Sequence, residues 1–328
     1  MDDDRILNLS LGLTTSMPLD KSRKYAGIAD DIGMYRIFVG EDLLSREVFT
    51  YLTIIALQTK QVRLATGITS PYVRNIATIA SNSIGLQRIT GNRFDIGIGP
   101  GGIPEVEKFT GQKPIRALAV MKETTFILRK IFNGETVSYN GIKSKLEDFK
   151  LDVKKTLPPK IYYGVRGERL LSLAGRLSDG VIFSGPKDYL LRAKKNVNEA
   201  AANAGRKEKE VNNVIWNCFV NIKNEKDVML AKLVVATIAS SLPEKEVERQ
   251  ASADRIVTIK NDFSKGNYGE ASKHVTDDML TNFCFTGSLD EIMEEVKKFS
   301  KAGFDEFVVG PPFGSNPSGT IKALESFV

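Results

Sequence analysis

This chain of 328 residues has few of the side chains that most often carry catalysis or bind metals. It holds one histidine, His274, in a polar segment that reads as surface, which removes histidine triads and histidine metal sites. Its two cysteines, Cys218 and Cys284, each lie in an apolar stretch and read as buried free thiols. No thiol cluster suggests zinc or iron–sulfur, so no metal is expected. Sparse cysteine fits a cytoplasmic protein. No run approaches the ~18 uninterrupted apolar residues of a membrane span, and no membrane partner is expected. The opening Met1-Asp2-Asp3-Asp4-Arg5 is acidic where a secretory leader would be basic. The formal net charge of +6 is spread along helices without dense basic clusters, which argues for a small acidic ligand and against nucleic acid. With little histidine or thiol chemistry to hand, a bound organic cofactor is the economical source of reactivity.

What the chain does have is glycine at the ends of its strands. The stretch through Leu11 meets Gly12, Thr14 and Thr15; Ile37 to Val39 meets Gly40, Glu41 and Asp42; Leu64 to Thr66 meets Gly67, Ile68, Thr69 and Ser70. Phe94 to Ile98 meets Gly99, Pro100, Gly101 and Gly102; Ile161 to Tyr163 meets Gly164; Val181 to Phe183 meets Ser184 and Gly185; Phe307 to Val309 meets Gly310. Glycine lets backbone approach a ligand where a Cβ would clash. Repeated at one end of successive strands, it predicts a (β/α)8 barrel, the TIM-barrel class of α/β fold, with one site at the C-terminal ends of its strands.

Helical patterns alternate with these strands. They run from about Leu19 to Ile32, Arg46 to Leu57, Arg74 to Arg88, Pro114 to Phe132 and Lys187 to Ala204, and a small hairpin is expected around Asn140-Gly141. A strand from Val214 to Ile222 precedes a mostly helical stretch, about residues 223–280, read as an insertion over the barrel mouth within a single domain of 1–328.

Three segments carry candidate chemistry. Gly97, Gly99 and Gly102 match the letters of a dinucleotide fingerprint. The match follows the fourth strand, Pro100 lacks an N–H for phosphate, and the next long helix starts too late, so a flat turn admitting a ring system at Gly99 and Gly101 is the better reading. Gly164-Val165-Arg166-Gly167 follows a strand and opens a helix, which suits an anion. Ser184-Gly185 would lie beside it and complete a two-loop phosphate cradle. Glu41 and Asp42 end the second strand and are the candidate acid–base pair.

Taken together, several segments resemble the bacterial-luciferase-like superfamily of flavin and deazaflavin barrels. They are Thr69 to Asn75, Leu86 to Gly101, Lys113 to Arg116 with the helix to Glu135, Leu173 to Gly180, and Gly310 to Gly314. Within it the chain is similar to the methylene-tetrahydromethanopterin reductases, which use the deazaflavin coenzyme F420. The resemblance extends into the insertion at Gly266 to Gly269 and Phe285 to Ser288. It implies a deazaflavin ring over the barrel mouth, its phosphate near Gly164 to Gly167, and a bulge at Gly67-Ile68 behind the ring with a non-proline cis peptide. It also implies a homodimer or larger homo-oligomer.

The chain departs from that pattern at two places. Gly12 stands at the first-strand end where the reductase family carries a glutamate, and Glu41-Asp42 stands where it has an Asp-His pair. The expected activity is therefore an F420-dependent oxidoreductase passing hydride between the deazaflavin and a small organic or pterin substrate. An FMN-dependent luciferase-like monooxygenase, with FMN in the same cradle, and a cofactor-binding barrel without turnover are the alternatives.

Overall fold

A computed structural model describes residues 8–328 of the chain. Eight parallel strands close into a barrel in simple sequential order. They are β1 (Asn8–Thr14), β2 (Arg36–Gly40), β3 (Arg63–Thr66), β4 (Phe94–Ile98), β5 (Ile161–Gly164), β6 (Gly180–Phe183), β7 (Asn212–Trp216) and β8 (Glu306–Val309). Closure is made by β1 pairing with β8, Leu11 opposite Val309, and with β2, Gly12 opposite Phe38. The TIM-barrel expectation holds. The reason lies in the apolar runs: strands such as Phe94–Ile98 and Glu306–Val309 are buried along their whole length, as parallel strands covered on both faces must be.

Helix ends follow local chemistry. The helix Ile76–Thr90 begins at Asn75, whose side chain accepts the Ala77 N–H, and ends at Gly91 with φ 63°. The expected hairpin forms from Val137–Asn140 and Lys145–Phe149. Two expectations needed correction. A short helix, Ile103–Thr110, starts directly after Gly102, and the carboxylate of Glu105 lies against Gly102 at its first turn. The long strand expected from Val214 to Ile222 is two strands: the chain leaves the barrel at Asn217, and Cys218–Asn221 pairs in parallel with Cys284–Gly287 outside it.

That second sheet roots the helical stretch. Helices Glu225–Ser240, Glu244–Glu248, Ala253–Ser264, Tyr268–Lys273 and Asp277–Phe283 enclose their own apolar core, including Val220, Val235, Ile256, Ile259 and Phe283. Cys218 and Cys284 are both buried and free there, their Sγ atoms 2.8 Å apart. His274 lies in the same region, half-exposed, with Nε2 3.2 Å from Asp262. No helix among the described residues is long and apolar enough to cross a membrane.

The lumen has two unlike ends. At the N-terminal end, buried Arg36 lies between Asp95, at 3.4 Å, and Glu306, at 3.5 Å, and donates to the Tyr162 hydroxyl at 3.0 Å. Burial pushes the Glu306 carboxyl up, while Arg36 and the hydrogen bonds from Ser10 and Asn212 draw it back. Above this layer Phe38, Ala65, Tyr162, Ile182, Val214 and Val308 fill the barrel.

Candidate functional site at the barrel mouth

The glycines at the mouth make room first for two of the protein's own side chains. A Cβ on Gly12 would fall 2.8 Å from Nε1 of Trp216 and collide with the Gly310 carbonyl oxygen. A Cβ on Gly67 would strike the same indole, and one on Gly40 would touch it at 3.4 Å. Trp216, the last residue of β7, therefore lies across the ends of β1, β2 and β3, its Nε1–H donating to Gly310 O at 2.8 Å. Ile68 does the same on the other side: Cβ atoms on Gly99 and Gly164 would run into its branches, while one on Gly97 would strike the Thr66 carbonyl oxygen. These contacts explain why glycine stands at these positions, two of which, Gly12 and Gly97, lie within β1 and β4 rather than after them. They also leave no room for any side chain at residue 12.

The turn after β3 carries the expected bulge. Gly67 N donates to Val39 O at 2.8 Å on one side, and Thr69 N donates to Gly97 O at 2.9 Å on the other. The Gly67–Ile68 peptide between them is cis. Thr69 then donates through Oγ1 to Glu41 Oε2 at 2.9 Å. Glu41 is nearly enclosed, with both oxygens engaged: Arg74 Nη1 donates to Oε2 at 2.7 Å and Arg74 Nη2 to Oε1. Arg74 also reaches Glu47 at 2.8 Å. Burial draws the Arg74 guanidinium down, but the bonds from Glu41 and Glu47 hold it above its ordinary value. Asp42 is exposed, its N–H donating to Thr15 Oγ1 and its Oδ1 accepting Leu44 N–H in a tight turn. Of the two carboxylates picked from sequence, one faces solvent and the other is locked in an ion pair.

The other half of the mouth holds the segment Gly164 to Gly167. Gly167, φ 83°, opens the ten-residue helix Glu168–Leu177, and an added Cβ there would meet nothing within 4 Å. Arg166 donates through Nε to Ser184 O at 2.9 Å and through Nη1 to Ser241, at 3.2 Å for the carbonyl oxygen and closer for the hydroxyl. Among the described residues no carboxylate pairs with it, and burial holds its guanidinium below the usual value. Lys260 lies close enough to feel the same positive charge: burial holds its ammonium down, Glu244 draws it back and Arg166 adds to the lowering. Asn217 Oδ1 is buried without a hydrogen-bond partner, and the Tyr189 hydroxyl, also buried, lies against the Gly167 backbone. Burial pushes the Tyr189 phenol up to about 12 against the pull of Arg166. Asn217 is fixed by its Nδ2–H donating to Gly185 O at 2.9 Å. A guanidinium with no carboxylate partner among the described residues thus shares one corner of the mouth with a helix N-terminus.

The remaining candidates divide between side chain and backbone. Val165 packs into the main core, so only its backbone can face a ligand. Gly101, φ 78°, sits over Val106 and Ser70, and Ser70 Oγ donates to Pro100 O at 3.0 Å, which fixes the turn after β4. Sequence reasoning missed Arg74, Tyr189, Trp216, Asn217, Ser241 and Lys260. Only Trp216 left a signal, as the chain's one tryptophan placed at a strand end.

The model of the luciferase-like monooxygenases matches residues 7–306, nearly the whole of this barrel. The chain belongs to that family. It is 32% identical over 310 residues to the 5,10-methylenetetrahydromethanopterin reductase of Archaeoglobus fulgidus, covering 92% of each protein. The enzyme of that name from Methanolobus tindarius is also 32% identical, over 97% of this chain and 98% of its own length. Among solved structures, the coenzyme F420-dependent tetrahydromethanopterin reductase of Methanopyrus kandleri superposes with a TM-score of 0.88 at 26% identity, covering 98% of each chain. Family membership makes this chain an enzyme of the oxidoreductase type.

Proposed function

We propose that this enzyme uses coenzyme F420 and exchanges hydride between the deazaflavin and a small organic or pterin substrate. The observation that carries the reading is Arg166, partly buried at the opening of a helix with neutral acceptors only, where a cofactor phosphate would supply the missing negative charge. The similarity to methylenetetrahydromethanopterin reductases over nearly the full length supports the choice of F420.

The residues present fit such a group. Arg166, the backbone N–H groups from Gly164 to Gly167, and Ser184-Gly185 would hold its phosphate. The buried Tyr189 hydroxyl would donate beside it, and Asn217 Oδ1, an acceptor, would take a hydrogen bond from a hydroxyl of the group. Gly67, Ile68 and Thr69 would back its ring, with Gly99 and Gly101 flattening the wall beside it. When bound, the deazaflavin supplies two-electron hydride chemistry, and the protein's part is to orient the ring and exclude water. Glu41, through Arg74 and its bond to Thr69 Oγ1, fixes the turn against which the ring would rest. Asp42, open to solvent at the same strand end, is the carboxylate not tied into the Arg74 ion pair.

Titration of the purified protein with F420 and with FMN tests the reading. Binding of F420 with exclusion of FMN is the expected result. Tight binding of FMN alone would move the enzyme to the monooxygenase chemistry for which its family model is named.

A further inference from the structure

We propose that Trp216 is the floor of the ring site, the surface on which the flat face of the bound cofactor ring rests. The inference depends on the F420 reading above and adds to it a ring-contacting residue outside the bulge and the phosphate cradle.

The position of the indole argues for this. Trp216 is half-buried, and its covered side is accounted for. Phe38 lies beneath it with ring centroids 5.9 Å apart, and Gly12, Gly40 and Gly67 surround its edges. Its one polar atom is already committed, since Nε1–H donates to Gly310 O. With Phe38 on one side and the three glycines against the Nε1/Cε2, Cε3/Cζ3 and Cη2 positions of the ring, the surface left to a ligand at this strand end is that of the indole itself. Ile68 extends the same layer over Gly97, Gly99 and Gly164. The lumen beneath is filled by Phe38, Ala65, Tyr162 and Val308, so nothing can pass below the indole.

A planar heteroaromatic ring gains most from such a surface by offset stacking. The arrangement also bounds the substrate. Among the described residues the one titratable group in the lumen layer, the Tyr162 hydroxyl, is bonded to Arg36 at the closed end of the barrel, so the substrate's reacting carbon would meet the ring from the open side.

The chain's single tryptophan makes the test direct. Wild type, Trp216→Phe, Trp216→Leu and Trp216→Ala are titrated with F420, following ring absorbance in all four and tryptophan emission in the wild type. Melting curves confirm that each variant is folded. The expected result is near-complete loss of tryptophan emission at saturation. Trp216→Phe should bind within about threefold of wild type, and Trp216→Leu and Trp216→Ala about tenfold or more weaker. The Phe and Leu variants keep the floor filled if the alanine variant fails to fold, and they separate stacking from mere volume. Equal affinity in folded Trp216→Leu and wild type, or tryptophan emission that persists with F420 bound, overturns the inference while leaving the F420 reading intact. A wild type that does not bind F420 ends that reading, and this inference with it.

Discussion

Arg166 reaches from the turn after β5 to Ser241, the residue that ends the helix Glu225–Ser240, and donates to its carbonyl oxygen at 3.2 Å. One guanidinium thus ties the barrel mouth to the helical insertion while lacking a carboxylate of its own. Its replacement by alanine should weaken F420 binding by about tenfold to a hundredfold, the worth of a charged hydrogen bond of ~1.5–3 kcal/mol. Equilibrium titration, with a melting curve as control, checks this; an unchanged dissociation constant would place the anion site elsewhere.

The two carboxylates at the end of β2 should separate in their effects. Asp42→Asn, at the exposed carboxylate, should slow turnover by about 10²–10⁴-fold with F420 affinity unchanged. Glu41→Gln should weaken F420 binding, because Glu41 acts through Arg74 and Thr69 on the turn behind the ring. Full turnover in Asp42→Asn, measured at saturating cofactor, would remove Asp42 from the acid–base role.

Asp30 supplies a pH signature in stability. Burial raises its carboxyl, but backbone N–H groups of Val62, Lys60 and Gln61 and the charge of Arg93 outweigh it, and the net pKa is lowered. A carboxyl depressed on folding stabilises the protein above its unfolded pKa of about 4, and that contribution fades as pH falls through the lower folded value. Asp30→Ala should cost about 2–3 kcal/mol at neutral pH. Urea melts at pH 7 and pH 3 should show the gap from wild type narrowing in acid.

Arg36 at the closed end of the barrel should be far less tolerant. Arg36→Met leaves Glu306 buried without its cation, while Asp95 keeps Arg63 at 2.9 Å, and stripping the cation from a buried carboxylate is a change of the kind that costs about 3–5 kcal/mol. A urea midpoint close to wild type would mean that water or protonation of Glu306 relieves the charge.

The eight-strand barrel was legible in the chain because its signals are local. Mostly apolar strands, helical periods between them and glycine at nearly every strand end all survive reading one segment at a time. Asn140-Gly141 announced its hairpin for the same reason, and the order of family-like segments located the bulge at Gly67-Ile68. What local signals could not show is which distant groups share the mouth. Arg74 takes Glu41 from 33 residues away, and Ser241 receives Arg166 from 75 residues away. The glycines misled in one respect. In sequence they read as space for a ligand, whereas folding gives much of that space to Trp216 and Ile68. Composition fixed how little catalytic chemistry the chain carries by itself; closure of the barrel decided which buried charges stay unpaired, because only there do side chains remote in sequence meet away from water.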